Sequence, residues 1–219
     1  MTFWRQVRVI VANDLRVERR ALEVVGVTFP FAIAALIAFA LAVGIDAPLL
    51  ERIGPSLYWV VILIFSVLII LRSSGHGSAA QRDLMRLLAS DPGVTTVASG
   101  LSAALIMFVF ELLLLPVAMV LFNWTPGTWS WLITLPLVAL GLGLLGSLVN
   151  AVTSSLNART SLSAILIVPG SIPLLIAATN ALEATTYGRG ILPWLLLLLA
   201  VNLGLGIAVV VLAGPIDDL

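Results

Sequence analysis

Residues 97–122 read VASGLSAALIMFVFELLLLPVAMVLF, an apolar run with one charged side chain, Glu111. An α-helix rises about 1.5 Å per residue, so about 20 such residues cross a hydrocarbon layer roughly 30 Å thick. Inside that layer no water satisfies the backbone, and a helix satisfies its own N–H and C=O groups. The run therefore reads as a membrane-spanning helix, with Pro116 expected to kink or break it.

The same reading extends in both directions. Val24–Val43 precedes it, followed by a shorter Ser56–Leu71, whose Tyr58 and Trp59 are expected to anchor its outer end at the membrane interface. Trp131–Leu148 follows, with an extension toward Leu156, then Leu162–Leu182, interrupted by Pro169 and Pro173, and last Leu192–Leu212. The expected fold class is all-α: a polytopic membrane protein of six transmembrane helices. Residues 24–213 form the bundle, residues 1–23 an amphipathic interfacial helix, and the whole of 1–219 one transmembrane domain. Composition agrees. The 219 residues are 61% hydrophobic and 10% charged, where a soluble domain carries about 25% charged residues. The charged segment ahead of Val24 and the spans that follow argue against a cleaved signal peptide.

Arginine sets the expected orientation. One side receives Arg5, Arg8, Arg16, Arg19, Arg20, Arg72, Arg82, Arg86 and Arg159; the other receives Arg52 and Arg189. Both termini are accordingly expected in the cytoplasm, with the protein in the inner or plasma membrane. Trp4, Val7, Val11 and Leu15 line one face of the N-terminal helix, with Arg5, Arg8, Arg16 and Arg19 on the other. Such a helix is expected to lie in the headgroup plane, its arginines near lipid phosphate; contact with a cytoplasmic partner is the alternative.

Several function classes are excluded. The formal net charge is zero, which gives no footprint for nucleic acid. There is no Cys, hence no disulfide and no thiolate metal site. The chain lacks Lys, and the Walker nucleotide loop requires one. The one His, His76, lies in the Gly/Ser loop Ser73–Ser78 and has no carboxylate cluster beside it for a metal. No paired acids suggest catalysis, so the chain is read as a non-enzyme.

Three features remain. Gln81–Ser90 reads as a short amphipathic helix between the second and third spans, with Leu84, Leu87 and Leu88 on one face beside Arg82, Asp83 and Arg86. Asp91-Pro92-Gly93 ends it. It suits docking of a separate cytoplasmic ATPase; a solvated connector is the plainer reading. Glu111 is costly in lipid and is expected to face protein, either as a polar contact between helices or in a transport role. The loop Asn123–Trp131 carries Trp124, Trp129 and Trp131, which fit an interfacial aromatic belt or, alternatively, a haem-handling surface. Small residues at Gly141, Gly143, Gly146, Ser147, Gly204 and Gly206 allow close helix approach.

Taken in order, these segments resemble the haem exporter protein B (CcmB) family. The resemblance rests on Asp14-Leu15-Arg16-Val17-Glu18-Arg19-Arg20, on Ile53–Val60, on Glu111-Leu112-Leu113-Leu114-Leu115-Pro116, on Gly141–Ser147, and above all on the double proline of Val168–Leu175. One stretch departs: where the family has Leu-Glu before paired leucines, this chain has Leu84-Met85-Arg86-Leu87-Leu88. The resemblance implies the permease subunit of an ABC-type cytochrome c maturation complex. Its implied partners are a cytoplasmic ATPase that consumes ATP, other maturation subunits in the membrane, and a second permease copy. Haem is the implied cargo, with no resident cofactor. A general ABC-2-type exporter of lipid or drug, and a non-transporting assembly scaffold, are the competing readings.

Overall fold

The computed structural model describes residues 3–17, 19–44, 46–74, 92–125, 130–155 and 160–213. These contain α1 (Phe3–Val17), α2 (Arg19–Val43), α3 (Ala47–Ser74), α4 (Pro92–Leu121), α5 (Ser130–Ser155), α6 (Thr160–Thr186) and α7 (Leu192–Ala213), and no strand among the described residues. Helices α2 to α7 each carry a stretch long and apolar enough to cross a membrane: Gly26–Val43, Ala47–Leu71, Val94–Leu121, Ser130–Thr153, Ile165–Ala184 and Leu192–Val211. The protein is a polytopic membrane protein of six spanning helices.

Three elements differ from the sequence reading. Helix α3 begins at Ala47 rather than Ser56, because Asp46 caps it: its Oδ1 accepts the Leu49 N–H at 3.2 Å. Pro55 sits inside that helix, where the carbonyl it leaves unpaired belongs to the exposed residue Glu51. Helix α4 runs through Pro116 without a break, and α6 runs through Pro169 and Pro173. Between those two prolines the Ser171 hydroxyl donates to the Val168 carbonyl at 2.7 Å, keeping its polarity inside the helix.

Helix α5 is the centre of the bundle. Of its spanning residues 67% are buried, against 17% for α2 and for α7, which face outward along most of their length. Close approach between α4 and α5 explains this. A Cβ added at Gly143 would strike the Gly100 carbonyl and the backbone of Ala104, so the two backbones touch where glycine removes the side chain. On the far side of α5, Asn202 of α7 donates from Nδ2 to the Leu137 carbonyl at 3.0 Å. One continuous apolar core joins α2 to α7, with Trp59, Phe110, Leu114, Leu135, Leu142 and Leu174 in its interior.

Helix α1 packs part of its apolar face on the bundle. Val7 is buried against Val94 and Ala98 of α4, with Ile10, Val11, Val97 and Leu101 packed around them. Arg5 and Arg8 are exposed on the opposite side; the side chains of Trp4, Leu15, Arg16 and Arg19 lie outside the described residues. This contact sets α1 at the end of the bundle where α3 finishes and α4 begins, the same end to which the sequence assigns most of its arginines.

Candidate functional site

In the opposite half of the bundle lies a buried polar cluster built by three local rules. The first is the shape of α3. A Cβ at Gly54 would lie 2.9 Å from the Phe122 Cβ, so glycine there lets α3 close onto the end of α4. One turn further, Tyr58 and Trp59 are 0% and 1% exposed. They are core residues, not the interfacial anchors the sequence suggested.

The second is the termination of α4. Asn123 adopts φ 47°, the left-handed conformation that ends many helices and that Asn tolerates. The Trp124 N–H donates back to the Met119 carbonyl at 3.1 Å, and the Phe122 N–H to Ala118 at 2.9 Å. This reversal folds Trp124 down into the bundle, where it is 1% exposed. Its ring lies 6.4 Å from that of Tyr58 at 44°, while Tyr58 and Trp59 meet edge-on at 5.0 Å and 66°.

The third is Glu111 itself. It is 0% exposed, and among the described residues it is the one acid or base in the core. The Tyr58 hydroxyl donates to the Glu111 main-chain carbonyl at 2.8 Å. That carbonyl stands one residue before Leu112, whose own carbonyl loses its helical partner to Pro116. The Glu111 carboxylate is different. Neither Oε1 nor Oε2 has a hydrogen-bond partner among the described residues, and the same holds for the indole Nε1 of Trp59 and of Trp124. An unpaired buried polar group costs about 1–3 kcal/mol, more when charged. Two donors and two acceptors left unmatched around one tyrosine therefore mark this as a polar site in an apolar bundle.

The sequence model of the CcmB protein family matches residues 5–215. The chain belongs to the CcmB family. It is also similar to a heme exporter protein B of Haemophilus influenzae, at 30% identity over 182 residues, which is 80% of each chain. In this CcmB-family chain four of the five resembling segments fall within helices: Ile53–Val60 on α3, Glu111–Pro116 on α4, Gly141–Ser147 on α5 and Val168–Leu175 on α6; the other, Asp14–Arg20, includes Glu18, which lies outside the described residues. The polar cluster thus draws on two of these segments.

The other sequence-selected residues of the CcmB-family chain are distributed as follows. Trp131 is half-buried at the start of α5, and Trp129 lies outside the described residues. So does the amphipathic stretch with Arg82, Asp83, Leu84, Arg86, Leu87 and Leu88, as does His76. In the chain that stretch joins the end of α3 to the start of α4, and it is the start of α4 that packs against α1. No group of three or more His, Cys, Asp or Glu suited to a metal occurs among the described residues. Sequence reasoning found Glu111 but missed its aromatic neighbours. The available signal was Asn123 directly after the last apolar residues of α4, a C-terminal cap that turns the following Trp124 inward.

Proposed function

We propose that this chain is the permease subunit of an ABC-type haem export complex serving cytochrome c maturation. The observation that carries the reading is the CcmB family match across residues 5–215, on a chain folded as six spanning helices. The similar Haemophilus influenzae protein, a heme exporter protein B, supports haem as the cargo class. Energy comes from a separate cytoplasmic ATPase, since a chain without Lys has no Walker loop. The arginine distribution puts α1, the segment joining α3 to α4, and both termini in the cytoplasm. The polar cluster then lies in the outer half of the membrane. Residues 1–219 act as one permease unit, with the segment carrying Leu84, Leu87 and Leu88 as its ATPase contact.

Deleting the gene and staining for haem-linked c-type cytochromes tests this. Loss of all c-type cytochromes, restored by the intact gene, is the expected result. Normal cytochromes together with altered lipid or drug export would instead make the chain a general exporter. Loss of cytochromes with no ATPase recovered alongside the tagged protein would make it an assembly scaffold.

A further inference from the structure

We propose that Glu111, Trp59 and Trp124 form a binding site for internal water in the half of the bundle remote from α1. The observation is a matched set of unmet needs. The two indole N–H groups have no acceptor and the two carboxylate oxygens no donor among the described residues, and all four atoms are buried. All three residues neighbour Tyr58, whose ring meets that of Trp59 edge-on at 5.0 Å, lies tilted 6.4 Å from that of Trp124, and carries the hydroxyl that donates to the Glu111 main-chain carbonyl at 2.8 Å.

The chemistry selects the ligand. A cation would serve the carboxylate and leave both indole N–H groups unpaired. An anion would serve the indoles and be set against the carboxylate. A molecule that both donates and accepts answers all four atoms, and water is the smallest that does. One water offers two hydrogens and two lone pairs, and buried waters make about three hydrogen bonds to polar groups of this kind. The surroundings keep such water in place: Phe110 and Phe122 are fully buried, and no competing charged side chain is buried among the described residues. Glu111 lies about 15 Å from the end of α4, taking 1.5 Å per residue. The site would therefore hydrate an acid well below the membrane surface and give it a partner for proton exchange.

The test is radiolytic footprinting of the full-length protein in lipid nanodiscs, where millisecond X-ray pulses split water and oxidise the side chains beside it. Trp59 and Trp124 should be oxidised although buried, and exposed Tyr187 serves as the positive control. Glu111→Leu should lower Trp59 and Trp124 oxidation several-fold and leave Tyr187 unchanged, whereas Glu111→Gln, which still donates and accepts, should preserve it. Should Glu111→Leu fail to fold, Trp124→Phe keeps an aromatic ring and removes one donor, and oxidation of Trp59 should fall. Background labelling of both tryptophans in the unmodified protein, with Tyr187 labelled, would overturn the proposal. So would labelling indifferent to Glu111→Leu, or to Trp124→Phe where that variant takes its place.

Discussion

On the proposal above, Glu111 acts through hydrogen-bonding capacity rather than through an ion pair, since no cation is buried with it among the described residues. Gln keeps that capacity and nearly the same volume. Leu fills the space but leaves the two indole N–H groups with nothing to bridge to. We expect Glu111→Gln to change stability by less than about 1 kcal/mol and Glu111→Leu to cost about 1–3 kcal/mol, the usual penalty for stranding buried polar groups. Thermal unfolding in detergent, read beside the yield of c-type cytochromes, measures both. Equal stability and yield in all three proteins would leave the carboxylate without a role. Why Tyr58 and Trp59 mislead a reader of the sequence is also a matter of single residues. Tyr and Trp have an apolar body and one polar group, and they suit a wet interface or a polar-spotted core equally well. The choice is made by Gly54, which admits Phe122, and by Asn123, which turns Trp124 inward. Neither contact leaves a periodic mark in the sequence.

Among the helices, the spans were legible because lipid imposes a length and an apolar composition that few other environments demand. Their ends were less so. Asp46 starts α3 ahead of a charged turn that looked like loop, and the prolines of α4 and α6 sit in ladders that continue on either side of them. The contact of α4 with α5 yields a sharp contrast. Gly143 abuts backbone, whereas Gly204 on α7 has nothing within 4 Å of an added Cβ. Gly143→Leu should therefore overpack the interface, costing about 1–3 kcal/mol or more and lowering the amount of folded protein, while Gly204→Leu should be tolerated. Size-exclusion profiles of the two variants in one detergent decide it, and equal profiles would contradict the packing described. The stretch between α3 and α4 makes a second prediction. Leu87→Asp with Leu88→Asp puts charge in the centre of the proposed ATPase contact and should cost roughly 2–5 kcal/mol of association. The variant should insert normally and lose both ATPase co-purification and cytochrome assembly. Full ATPase recovery would shift the contact to α1, whose exposed Arg5 and Arg8 are not committed to its packing against Val94 and Ala98.

For the molecule as a whole, an even number of spans is expected to leave both termini on one face, and the arginine asymmetry predicts that this face is the cytoplasmic one. In a protein free of Cys, single-cysteine variants give an unobstructed test. A cysteine at Gly75 should react with a membrane-impermeant maleimide only after the membrane is opened, and one at Pro126 should react from outside in intact cells. The reverse pattern would invert the orientation and put the polar cluster in the cytoplasmic half. The Tyr58 hydrogen bond also makes the paired helices a mechanical frame. At 1.5 Å per residue, α3 and α4 are each roughly 40 Å long; they are joined at one end by the chain segment between them and clasped about 15 Å short of the other by Tyr58 on the Glu111 carbonyl. Two struts fastened at two separate points resist shear and move as a tilting lever, so a push from the proposed ATPase on the linking segment should reach the opposite face as rotation of the pair rather than sliding of one helix along the other. Tyr58→Phe opens the clasp and keeps the ring. Spin labels at Arg52 and Asn123 should hold a fixed separation through the ATP cycle in the unmodified complex, and should spread into a broader distribution once the hydroxyl is gone.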